Sequence, residues 1–437
     1  MTQKNIKWIS EELPLLVEKG IVSDQQSKAI LEYFSQQNIK KPNTAIVAFS
    51  IIGSTLLAAG IILILAHNWA NLPRAMRICI SYLPLVVSQL IGFWVIVKKR
   101  DSDAWTEGIA AFGFLAIGAT LSLVSQTYHI QGDFRSFIFN WMLLGFPLVY
   151  LYRSTTAAVF YIVSLTTWAI AEKVAIHGSL GYWPLIALIA PYYIMKFKND
   201  IHSKTVTIIG WFVSISLVFG VFWAISDITE GYKVISLIAL FLGFLSIGLL
   251  YFQDEESFWS VPFSRVGLLG LSVVYVVLSY RDVWKNLSFV PRPETINIVG
   301  LLKTGNTIIS ILLPILAIIL AYKAVGIKKW PILLYSIGLP LALISFTVSY
   351  NNLGRAIITS AFNLYVLLCG LLYLIQGIKN NSSKSMNYGF VMIAAIVILR
   401  FFDTDLTFIT RGLIFIVLGL SFLGANIYLA KRKAACK

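Results

Sequence analysis

The chain has 437 residues, of which 58% are hydrophobic and 13% charged, with a net charge of +15; its mean hydropathy is +0.79. That composition leaves too little polar surface to solvate a water-soluble globule of this size. Four histidines and three cysteines (Cys79, Cys369 and Cys436) form no CxxC, HExxH or paired-cysteine pattern, so zinc and redox sites are poor readings and no metal or cofactor is expected.

Residues 1–43 read as a small cytosolic two-helix module. Ile6, Leu13, Leu15, Leu16 and Val17 supply apolar positions, and Gly20 ends the first helix where a left-handed cap is cheap. Ser23 or Asp24 then caps a second helix running to about Gln36. So small a hairpin buries little alone, so it either packs as a lid or binds a cytosolic protein partner. The apolar segment that follows is too long for a signal-peptide core and is expected to act as the first anchor.

A hydrocarbon core of about 30 Å needs about 20 apolar residues per helix, and such windows follow one another from Thr44 to Ala430. They fall at 44–66, 77–97, 108–127, 136–152, 155–171, 182–195, 205–226, 234–252, 266–280, 305–322, 330–349, 356–376, 386–399 and 412–430. The expected fold is therefore all-α: a polytopic transmembrane bundle of 12–14 spans over 44–430, then a basic tail, 431–437. The 182–195 window is short enough to be re-entrant. An even number of spans puts both termini on one side, and the segments on that side carry 23 of the 35 Lys and Arg. Both termini are thus expected in the cytoplasm, and this asymmetry, not nucleic-acid binding, accounts for the positive charge.

Small residues within spans, such as Gly53 and Gly60, Gly118 and Ser122, or Ser421 and Ala425, suit close helix contacts. The outer loop from Arg281 to Thr304 contains Trp284 and Phe289, which are expected at the lipid–water interface. A weak internal repeat over 44–152 and 330–430 is suggested by Asn71–Ala75 and Asn352–Ala356. Each is followed two helices later by an acidic, Arg-bearing turn, Gln131–Arg135 and Arg400–Asp405.

Three places in the chain carry a family likeness. They are the hairpin with Trp8, Leu16, Gly20–Ser23, Gln26, Ile30 and Tyr33; the run Asn68-Trp69, then Gln126–Asp133 and Trp141; and Arg400–Asp403, Arg411–Phe415 and Lys431–Lys433. On these the chain resembles a bacterial membrane family known as domain of unknown function 2157. The resemblance implies a multi-pass inner-membrane protein with a small cytosolic head, and it supplies no activity.

Candidate site residues are those that edge the spans on the expected outer side: Arg74, Arg77, His129, Asp133, Arg135, Asn352, Arg355, Arg400, Asp403, Asp405 and Arg411. Of the 12 Lys and Arg expected outside, eight are Arg, against four of 23 inside. The orientation rule uses either residue, so it does not explain that contrast. Guanidinium presents a rigid fork to carboxylate or phosphate, so these residues point to an Arg-lined outer cavity for an anionic lipid, glycan or small molecule. The alternative is structural: Arg snorkels to headgroups, and Arg–Asp pairs lock helices together. The site reading makes the protein a transporter, flippase or binding protein. A membrane transferase is a weaker alternative, because the first outer loop, His67–Arg77, has no Asp or Glu. A sensor or scaffold acting through residues 1–43 is the third.

Overall fold

Inside lipid, a chain segment must satisfy its own backbone hydrogen bonds, and a helix does so within one segment. A computed structural model shows that solution throughout. It describes residues 12–36 apart from 15, 69–175, 181–224, 230–252, 259–287, 305–326, 330–349, 351–380 and 382–403, with a few positions between 409 and 424. Every regular element among them is a helix, and eight helical stretches, two of them broken pairs of helices, are long and apolar enough to cross a membrane. The protein is thus the expected polytopic helical bundle. The first expected span, most of the last, the basic tail, the residue 43 boundary, Gly53, Gly60, Phe289, Ser421 and Ala425 lie outside the described residues.

The chain divides into two units, Met1–Arg77 and Ile78–Lys437. In the first, Gly20 takes φ +70° and donates to Val17 O at 2.9 Å, while Ile21 N reaches Leu16 O at 3.0 Å. The second helix, α1 (Asp24–Gln36), opens with a reciprocal box: Gln26 N donates to Ser23 Oγ at 3.2 Å and Ser23 N to Gln26 Oε1 at 3.1 Å.

α2 (Arg74–Lys98) begins at the end of the first unit. The second unit continues with α3 (Asp103–Tyr128), α4 (Phe134–Gly145), α5 (Pro147–Leu151), α6 (Thr155–Ala175), α7 (Tyr182–Ala187), α8 (Ala190–Asn199), α9 (Lys204–Ala224) and α10 (Glu230–Tyr251). α11 (Pro262–Leu278), α12 (Val283–Asn286), α13 (Gly305–Val325), α14 (Trp330–Ser336), α15 (Gly338–Val348), α16 (Asn352–Lys379) and α17 (Ser383–Asp403) follow. One apolar core is built from α2–α9 around Phe114, Met142, Tyr161 and Tyr192. A second, from α9 to α17, surrounds Leu271, Tyr275, Tyr335 and Phe362. Leu217, Trp183 and Tyr193 pack against both.

Among the described residues, three helical stretches are interrupted. α4 gives way to α5 at Phe146 beside Pro147, α7 to α8 at Leu188 and Ile189 ahead of Pro191, and α14 to α15 at Ile337. The short 182–195 window is thus a broken pair of helices. Carbonyls beside two of these breaks accept from tyrosines of neighbouring helices. Tyr161 donates to Leu185 O at 2.8 Å and Tyr150 to Leu188 O at 2.5 Å. Tyr275 donates to Tyr335 O at 2.8 Å and Tyr365 to Leu334 O at 2.7 Å. Replacing the fully buried Tyr275 with phenylalanine removes one such bond without changing the ring. It is expected to cost about 1 kcal/mol, read as a lower melting temperature in detergent; an unchanged melting temperature would show the break to be indifferent to its partner.

Helices also touch backbone to backbone. A Cβ on Gly267 of α11 would stand 2.4 Å from Leu245 N and 2.6 Å from Phe241 O of α10; one on Gly389 of α17 would stand 2.6 Å from Gly370 O of α16. Gly118, expected at a close contact, makes room for the Trp141 ring, 2.4 Å from where its Cβ would be. Trp284 corrects an expectation. It is buried, donating to Leu278 O at 2.7 Å and packing on Phe346 and Phe362. Its indole finds an acceptor inside the bundle, so it needs no headgroup.

Candidate functional site

At one end of the second unit three loops turn together: 99–102, 152–154 and 200–203. Each loop delivers the start of a long helix. Ser102 is extended (φ −96°, ψ 106°) before α3. Arg153 takes φ 51°, which aims Ser154 so that its Oγ accepts from Ala157 N at 3.2 Å and caps α6. Ser203 Oγ likewise accepts from Val206 N at 3.3 Å at the head of α9. The uncommon left-handed turn at Arg153 is held by Tyr192 of α8, which donates to Arg153 O at 2.6 Å.

Glu107 sits in the second turn of α3 and reaches across to α6. Its carboxylate accepts from Ser154 Oγ at 2.5 Å, Thr155 N at 2.8 Å and Thr156 N at 2.8 Å. Burying a carboxylate at a span end is costly unless it is satisfied. Here it meets backbone donors at the positive end of a helix. α6 and α9 run parallel and are joined along one seam, Thr155 Oγ1 to Thr205 Oγ1 at 2.9 Å and Thr166 Oγ1 to Ser216 Oγ at 2.7 Å.

Between these helix ends lies an open cavity of about 700 Å³. Its cations come from four places: Arg100 after α2, Arg153 before α6, Lys196 on α8 and Lys204 at the first turn of α9. Asp101, Asp103 and Glu107 are the acidic groups on its wall, and Glu107 is already engaged by α6. Lys196 Nζ also stands 5.6 Å from the centre of the Tyr192 ring. Further in, the lining turns apolar at Val159 of α6 and at Ile208 and Phe212 of α9. The arrangement offers an anion a cluster of cations, threonine hydroxyls and a helix start with no acidic residue in its first turn.

The residues expected to form an outer site stand elsewhere. Arg74 opens α2, and Arg77 Nε donates to Leu72 O at 2.9 Å. At the far end of α3, His129 is the left-handed residue that closes the helix, with φ 56°, and its Nδ1 lies 2.9 Å from Gln126 O. Asp133 caps α4 by accepting from Ser136 N at 3.0 Å. Hydrogen bonds from the Ser136 hydroxyl and then its backbone N–H hold the Asp133 carboxyl below the ordinary aspartate range. Arg135 pairs with Asp133 at 3.1 Å and, across to α6, with Glu172 at 3.4 Å. At the start of α16, Asn351 Oδ1 accepts from Gly354 N at 2.6 Å, and Asn352 Oδ1 accepts from Arg355 at 3.0 Å. Arg400 and Asp403 belong to the last turn of α17, though their side chains, like all of Asp405 and Arg411, lie outside the described residues. The two acidic turns of the suggested repeat are used differently: Asp133 starts a helix and Asp403 ends one.

The structure thus groups Asp133 and Arg135 with Glu172 as a helix cap and ion pairs, and joins Asn352 to Arg355 by a side-chain hydrogen bond within one helix. Glu107, Arg100, Arg153, Lys196 and Lys204 were not among the expected site residues. The available signals were the hydroxyl run Ser154-Thr155-Thr156 opening a span and a carboxylate at the edge of the preceding long one.

Residues 14–158 match a family described as predicted membrane protein (DUF2157). The matched stretch takes in the hairpin from Pro14, the 126–133 run with Trp141, and both sides of the Glu107 contact. No curated protein and no solved structure matches the chain.

Proposed function

We propose that this multi-pass membrane protein is a binding protein or carrier for an anionic compound, received in the cavity between the starts of α3, α6 and α9. One observation carries the reading: a cavity of about 700 Å³ on which Arg100, Arg153, Lys196 and Lys204 converge from four separate elements. Cations that served only to orient the chain during insertion need not converge, whereas a ligand cavity has to gather charge from several elements. The volume is that of a small-molecule site.

The test is a thermal-shift titration of the purified full-length protein with inorganic phosphate, citrate and dioctanoyl phosphatidic acid at constant ionic strength. At least one of the three is expected to raise the melting temperature, and the double variant Arg153→Gln/Lys204→Gln to lose at least tenfold in apparent affinity for it. No shift with any of the three, or an undiminished response in the double variant, overturns the reading.

A further inference from the structure

We infer that the occupant of this cavity is an anionic lipid, its phosphate among the cations and its chains along the exposed face of α9. The inference rests on the reading above and narrows it. What points to a lipid is the change of character along the cavity wall. At the loop ends the wall carries Arg100, Arg153, Lys196 and Lys204 with Asp101, Asp103 and the capping Glu107; further in it is Val159, Ile208 and Phe212. Phe212 lies eight residues beyond Lys204, about 12 Å along the helix. The polar layer on each side of a bilayer is roughly 5–8 Å deep. One wall therefore runs from headgroup depth into the hydrocarbon.

The apolar part is not closed over. Ile208 and Phe212 are themselves exposed, and the same face of α9 continues with Ile215 and Phe219, also exposed. The cavity thus opens sideways onto a surface suited to acyl chains. A soluble anion would use only its polar half, whereas an amphiphile uses both. The polar half suits phosphate, because two guanidinium and two ammonium groups outnumber Asp101, Asp103 and the already engaged Glu107 beside a helix start with no acidic residue in its first turn. Basic pockets between membrane helices are where phospholipid headgroups are bound.

The full-length protein in detergent is titrated with dioctanoyl phosphatidic acid, glycerol 3-phosphate and dioctanoyl phosphatidylcholine, with apparent affinity read from the thermal shift. Phosphatidic acid is expected to bind at least tenfold more tightly than either of the others. Ile208→Ala/Phe212→Ala should narrow its advantage over glycerol 3-phosphate at least threefold while leaving glycerol 3-phosphate binding unchanged. Equal affinity for glycerol 3-phosphate and phosphatidic acid overturns the lipid inference and leaves the anion reading standing. Equal affinity for the two lipids overturns it as well, since apolar insertion alone then explains binding. The comparison among ligands uses the unaltered protein, so poor folding of the double variant does not obscure it.

Discussion

Gly267→Val is expected to leave little folded protein, whereas Gly243→Val, on the partner helix of the same pair, is expected to be tolerated. At 267 the new side chain would meet the backbone of α10, with Leu245 N and Phe241 O both inside 3 Å of its Cβ. Backbone atoms cannot swing aside as a side chain can, so α10 and α11 would have to separate along their length. Around the same contact, Cβ atoms on Gly248 and Gly270 would collide with Ser264 and with the Phe241 ring, so no neighbouring site can absorb the displacement. Overpacking usually costs about 1–3 kcal/mol; a contact that must move a whole helix belongs at or above the top of that range. Stabilities of about 5–15 kcal/mol cannot lose that without a large fall in yield. At Gly243 nothing lies within 4 Å of the added Cβ, and the loss of glycine within a helix is the same. Detergent-extracted yield and melting temperature of the two variants decide the matter. Equal behaviour would mean that α10 and α11 do not approach as closely as described.

Glu107→Ala is expected to destabilise the protein by about 2–3 kcal/mol, the range for losing hydrogen bonds to a charged acceptor and a helix cap together. The substitution strips Ser154 Oγ, Thr155 N and Thr156 N of their common acceptor at the head of α6. Glu107→Gln should fall between, because the amide oxygen still accepts while its NH₂ faces a donor. A second signature separates this from ordinary damage: removing a negative charge from a cation-lined cavity should tighten anion binding even as the melting temperature falls. A melting temperature unchanged from the parent protein would mean that the carboxylate does not cap α6.

How much of this could be read from the sequence follows from the range of each interaction. Span lengths depend on runs of apolar residues, and the hairpin on Gly20 and Ser23, so both were legible along the chain. Helix ends were not, because helices outrun their apolar windows. α3 begins at Asp103, not 108, and α16 at Asn352, not 356. That difference left Glu107 just outside an expected span, where a carboxylate looks like ordinary loop polarity. Its partners are nearly 50 residues away, and no local pattern announces such a pairing. Arg153, Lys196 and Lys204 were visible, but an excess of cations on one side already had an explanation in topology. Asp133 and Arg135 stood out as functional candidates because Glu172, the acid that also engages Arg135, is brought to them only by packing of α4 against α6.

The two hydroxyl bridges between α6 and α9 have a mechanical consequence. Thr155 and Thr166 are three turns apart, as are Thr205 and Ser216, so sliding either helix by one turn would break both bridges at once. These two rods therefore travel as a single plank, and Lys204 keeps its distance from Thr155 in any rearrangement. Tyr192 already ties α8 to Arg153 O at the head of α6, so widening or narrowing of the entrance falls to the turn after α2, which brings Arg100.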